Sequence, residues 1–123
     1  MKLHLANPKN RNICTGYGAG YIAVNGTQHH GSLLVMPEQL VTDWPVPTLD
    51  ALTTTAMEAL LELHPEVIIL GTGQAQRFPH PSLFGTLTAA RIGIEIMSTP
   101  AACRTYNILM NEERRVLAAM FPP

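Results

Sequence analysis

The sequence holds little of what usually assigns a protein its chemistry. Its 123 residues include two cysteines, Cys14 and Cys103. They lie far apart and lack the paired spacing of a metal or redox motif, so free thiols in a reducing compartment are the default. Lysine is scarce: six of the eight basic residues are arginine, leaving Lys2 and Lys9, and the formal net charge is −1. Without a basic excess, non-specific nucleic-acid binding has no electrostatic support, and no nucleic-acid partner is expected. No apolar run approaches the ~20 residues that cross a bilayer, so direct membrane insertion is not expected. The opening "MKLHLANPKNRN" has no apolar segment of the secretory kind, and a cytoplasmic location is expected.

Catalytic signatures are missing as well. His29 and His30 are adjacent; on a strand they point to opposite faces and cannot chelate one ion together. His4, His64 and His80 have no ligand-like spacing. No metal site, cofactor motif or complete catalytic set is read.

What is present is enough hydrophobic sequence, 46% of residues, to build the core of one domain spanning residues 1–123. The first part reads as β. Asn25-Gly26 separates "YIAV" from "TQHHGSLLVM", a strong hairpin signal because both residues tolerate positive φ. "GYGAG" marks another turn, and "LVTDWPVP" fits a short edge strand, because Pro45 and Pro47 cannot donate to a central ladder. Trp44 in that stretch reads either as a partner-binding anchor or as a cap on the core.

Helical spacing then begins, with Met57, Leu60, Leu61 and His64 on one face, and Pro65 ends it. "VIIL" (residues 67–70) is continuously apolar and β-branched, the pattern of a strand covered on both faces. "PSLFGTLTAA" predicts a short helix. "RIGIEIM" alternates, Ile92, Ile94 and Ile96 against Gly93, Glu95 and Met97. The stretch "STPAACRTYNILMNEERRVLAAMF" predicts one long helix. Thr99 is its N-cap and Pro100 its first residue; Tyr106, Leu109, Met110, Val116, Leu117 and Met120 form its apolar face. The expected fold is α/β: a mixed central sheet with parallel core strands and flanking helices.

Three local features invite chemistry. "GTGQAQRFP" follows the buried strand as a phosphate loop would, but Gln76 stands where the dinucleotide fingerprint needs glycine, and two prolines follow. The bland reading is a sharp strand exit at Gly71 and Gly73. Cys103 is expected in the first turn of the last helix beside Arg104; it reads as a reactive thiolate or as a small packing residue. Glu95 sits inside an apolar strand, where a buried carboxylate needs a partner, and Arg77 or Arg104 could supply it. A structural ion pair and a ligand site both fit, and both expect Glu95→Ala to cost stability.

Taken together, "VIILGTG", "RIGIEIM", "TPAACRTYNILMNEERRVLAAM" and the run Ile13-Cys14-Thr15-Gly16-Tyr17-Gly18 resemble one family across nearly the whole chain. Its members are the mitochondrial complex I assembly factor 3 proteins, adipogenesis-associated domain proteins and uncharacterised bacterial relatives. The resemblance implies a mixed sheet with helices against it and an extra β-hairpin layer. It also implies a role in assembling a respiratory complex through protein contacts. Its pattern positions fall on Gly71, Gly73, Gly93, Glu95, Thr99, Cys103, Tyr106 and Asn107.

Two functions are therefore expected. The first is a non-enzymatic interaction or assembly-factor-like domain whose partner is a protein, such as a subunit of a membrane or respiratory complex. The alternative is a binder of small anionic metabolites, or an enzyme. Its pocket would lie at the carboxyl ends of the parallel strands, formed by Gly71, Gly73, Arg77, Glu95, Cys103, Arg104, Tyr106 and Asn107.

Overall fold

The computed structural model describes residue 1 and residues 10–123; Lys2, His4 and Lys9 lie outside the described residues. Strands β1 (Cys14–Gly18), β2 (Tyr21–Val24) and β3 (Thr27–His29) form an antiparallel sheet in that order. Asn25 and Gly26 turn β2 into β3 with φ of 53° and 84°, the left-handed pair that a two-residue hairpin requires. The second arm is shorter than its sequence. After His29 the chain leaves this sheet and re-enters a second one as β4 (Leu33–Val35).

The second sheet is mixed. Its order is β5 (Leu40–Val41), β4, β8 (Val116–Phe121), β6 (Val67–Thr72), β7 (Gly93–Met97). The strand β6 runs parallel to both β7 and β8, while β4 is antiparallel to β8 and β5. The expected α/β architecture, parallel centre and added hairpin layer are thus present.

Helix α1 (Thr54–Ala59) starts at Thr53, whose hydroxyl accepts from the Ala56 N–H, and tightens into a 3-10 turn over Leu60–Leu63. Because a 3-10 turn has three residues per turn, the 3.6-residue stripe does not continue through it. Met57 and Leu60 are buried as expected, but His64 closes the turn with φ 54° and is exposed. A 3-10 turn over Pro81–Phe84 and helix α2 (Gly85–Ala89) then link β6 to its parallel neighbour β7.

The largest correction concerns the C-terminal stretch, which is not one helix. Helix α3 covers Thr99–Asn111, Glu113 turns the chain with φ 62°, and residues 116–121 form strand β8. Val116, Leu117 and Met120 therefore belong to no helix face, and Arg114 and Arg115 lead into a strand. "VLAAMF" contains good helix formers, yet all six residues are buried between β4 and β6. A central strand covered on both faces reads as a continuous apolar run, so tertiary context overrides the local preference. The cap shifts by one residue: the Ser98 hydroxyl accepts from the Ala101 N–H, making Thr99 the first helical residue.

The five-stranded sheet is packed on both faces. One face, with Val35, Ile69, Ala118 and Met120, meets α3 and the three-stranded sheet through Tyr106, Cys103, Cys14 and Ile22. The other, with Leu34, Ile68, Leu70 and Phe121, meets α1, α2 and Trp44. Trp44 is a core cap, buried with its ring 5.5 Å from that of Phe121.

Candidate functional site

The carboxyl end of β6 is closed by α3 packing directly against it. A Cβ on Gly71 would lie 3.0 Å from the Thr99 hydroxyl and 3.1 Å from the Ala102 Cβ, so a larger residue would push α3 back by a few tenths of an ångström. Gly73 has φ 99°. Its N–H donates to Thr99 Oγ1 at 2.8 Å, its carbonyl accepts from the Thr99 N–H at 2.7 Å, and the Thr99 hydroxyl donates on to the Phe121 carbonyl. Thr99 thus ties the ends of β6 and β8 together.

The loop after it is closed by its own bonds. Thr72 Oγ1 accepts from the Arg77 N–H at 3.1 Å and lies within hydrogen-bond range of the Ala75 and Met97 carbonyls. A phosphate cradle needs free backbone N–H groups converging on one point. Here those of Gly73 and Arg77 already have partners; Gly71 still lies within β6, and the strand exit is made at Gly73.

The other nominated residues do not share a pocket. Arg77 extends to Asp50 at 2.7 Å, with both side chains exposed. Glu95 is exposed on the edge strand β7 and has no partner among the described residues. The expected pairing with Arg77 or Arg104 is not made. Alternation puts Glu95 on the α3 side of the sheet, but β7 lies outside the strands that α3 covers, so water solvates the carboxylate. Arg104 instead donates to the Tyr17 hydroxyl at 3.1 Å.

Cys103, Tyr106 and Asn107 form a buried seam between α3 and β1. Asn107 replaces a strand partner for Cys14: its Oδ1 accepts from the Cys14 N–H and its Nδ2 donates to the Cys14 carbonyl, both at 2.9 Å. The Tyr106 hydroxyl donates to the Asn12 carbonyl at 2.8 Å, and burial pushes its pKa well above the usual tyrosine range. Cys103 lies in the second turn of α3, not the first, and is fully buried. The Cys14 thiol is pushed up chiefly by its hydrogen bond with Cys103 and then by burial.

Two open clefts stand out among the described residues; the nominated Arg77 lines one, and no nominated residue lines the other. One of about 240 Å³ is lined by Leu49, Asp50, Leu52, Arg77, Phe78 and His80 among others. The other, about 290 Å³, opens at the amino ends of β6 and β8 and takes in Arg11, Glu38, His64, Glu113, Arg114 and Arg115. Beside it Glu66 accepts from the Arg115 N–H at 2.8 Å and pairs with Arg114 at 3.4 Å; the backbone bond is the main reason its pKa is lowered. No motif marks either cleft, because one is assembled from two and the other from four separate segments.

A family model described as "Protein of unknown function (DUF498/DUF598)" matches residues 14–121. The chain belongs to this family. Among solved structures, a Bordetella parapertussis protein is 39% identical with a TM-score of 0.86, covering 95% of this chain and 100% of that one. The bovine NADH dehydrogenase [ubiquinone] 1 alpha subcomplex assembly factor 3 is 29% identical over 87% of this chain, which spans 59% of that protein's length. A Francisella tularensis protein named 13 kDa major membrane protein is 28% identical, with 81% of this chain and 82% of that protein covered. Among the described residues of the present chain, no helix is long and apolar enough to cross a membrane.

Proposed function

We propose that this protein is a non-enzymatic, assembly-factor-like domain that acts in the cytoplasm by binding another protein, a subunit of a membrane or respiratory complex. The observation behind this reading is Phe78. It is 73% exposed at the tip of the β6 exit loop, beside the cleft lined by Leu49, Leu52 and Leu83. An exposed aromatic side chain on the wall of a recess that mixes apolar and polar groups is the usual form of an interface anchor. The assembly-factor name of the bovine relative supports the same reading. So does the internal use of Thr99, Tyr106 and Asn107, polar residues that would otherwise be open to a ligand.

The test is site-specific photo-crosslinking in the native host, with the photoreactive residue at position 78 and a control at Thr88, which is exposed on α2. One recurrent protein adduct from position 78, absent from 88, is expected. Equal yields from the two positions sink the proposal. In parallel, an anionic metabolite at about 100 times its Kd stabilises its receptor by about 2.7 kcal/mol. A melting shift of that size would favour the small-ligand alternative instead.

A further inference from the structure

The five-stranded sheet ends at β7, which pairs with β6 on one side and, among the described residues, with no strand on the other. The Gly93 N–H donates to the Glu66 carbonyl at 3.2 Å, so Gly93, Glu95 and Met97 turn their backbone groups toward β6. By alternation, those of Ile94 and Ile96 point away from it. The Gln76 side-chain amide covers the Ile96 carbonyl at 2.9 Å. That leaves the Ile94 N–H, the Ile94 carbonyl and the Ile96 N–H without a partner among the described residues. The other edges are shorter or closed: β5 has two residues and β3 three, and Asn107 binds both backbone groups of Cys14 on β1. Ile94 and Ile96 are half-buried at the rim of the apolar layer under α1 and α2, while Glu95 is exposed on the opposite face.

We propose that the outer edge of β7 binds an extended protein segment of the pattern apolar–basic–apolar, added antiparallel as a further strand. This deepens the interaction reading and rests on it for a protein occupant, but it does not rest on Phe78. One residue of the segment exchanges both backbone bonds with Ile94, and the segment's next carbonyl takes the Ile96 N–H. Residues opposite Ile94 and Ile96 then extend the apolar layer, and the residue between them stands opposite Glu95. A lysine or arginine there meets a carboxylate that nothing among the described residues pairs. A second copy of this chain does not supply that cation, because β7 reads "GIEIM".

Little has to move. Gln76 is exposed, so its amide returns to water when an incoming N–H takes the Ile96 carbonyl. The bonds from β7 to β6 are untouched, since they come from the alternate residues. For the same reason proline at position 94 removes an outward N–H and none of the bonds to β6, the one placement a sheet edge tolerates.

The test adds the capped peptide acetyl-Thr-Val-Lys-Val-Thr-amide to the isotope-labelled full chain and follows the backbone amides by NMR. The Ile94 and Ile96 amides should shift and exchange more slowly with solvent, while those of Gly93 and Glu95, already bonded to β6, move less. Replacing the peptide's lysine with glutamate should weaken binding about fivefold, and Glu95→Lys should reverse that order. Ile94→Pro should abolish binding; if that variant fails to fold, the charge reversal decides alone. Ile94 and Ile96 amides unmoved by millimolar peptide overturn the proposal, as does equal binding of the two peptides. Edge shifts that follow protein concentration without peptide also overturn it, by assigning the edge to a second copy. These outcomes are separate from the crosslink at position 78: an unresponsive β7 leaves an adduct there standing, and a missing adduct leaves the peptide shifts unchanged.

Discussion

The α3–β1 seam and the loop at residues 74–80 differ in what their polar and apolar groups face. In the seam, Asn107, Tyr106 and Cys103 are buried and each has an internal partner. In the loop, the base is closed by Thr72 while its tip puts Phe78 into water. The seam looks functional in sequence, with Asn, Tyr, Cys and Arg within one short helix, yet those groups hold two layers together. The loop reads as a failed nucleotide motif, yet it presents the apolar surface. A polar residue marks function only where something other than the protein itself can satisfy it.

Substitution should separate the two regions by size of effect. Asn107→Ala strips partners from the buried N–H and carbonyl of Cys14, so a loss of about 3 kcal/mol in urea denaturation is expected. A loss under about 1 kcal/mol would mean that the seam is not structural. Tyr106→Phe should cost about 1 kcal/mol at neutral pH through the lost bond to Asn12. Its folded pKa is raised by burial, so keeping the phenol neutral adds stability below the unfolded value of about 10, and that stability is lost as pH rises further. The variant's stability should therefore fall less steeply above pH ~10, read from alkaline unfolding curves. At the exposed end of the comparison, Phe78→Ala and Glu95→Ala should each stay within about 0.5 kcal/mol of the parent by thermal denaturation. For Glu95 this reverses the expectation drawn from its place in an apolar strand. A larger loss would reveal a contact the exposed carboxylate does not show.

Local signals located much of the fold. Asn25-Gly26 marked the hairpin because positive φ is a property of those residues themselves. Residues 67–70 read as a covered strand because β-branched residues leave few alternatives. Gly73 was recognisable as a strand exit, whereas Gly71 stays within β6, paired on both sides. The candidate site was far less legible: Arg77, Glu95 and Arg104 were grouped by distance along parallel strands, whereas Asp50 and Tyr17, from remote segments, decide where the two arginines point. Glu95 shows why: alternation sets its face, but only the position of β7 at the sheet edge sets its exposure.

Sequence alone determined the Asn25-Gly26 turn, the parallel β6–β7 unit and, to within one residue, the start of α3, since each follows from backbone preferences within a few residues. Tertiary structure decided that residues 116–121 form the central strand, that Thr99 joins two strand ends, and which side chains remain open to a partner. Those outcomes depend on burial and hydrogen bonding between segments up to about 90 residues apart, and no local preference carries that information.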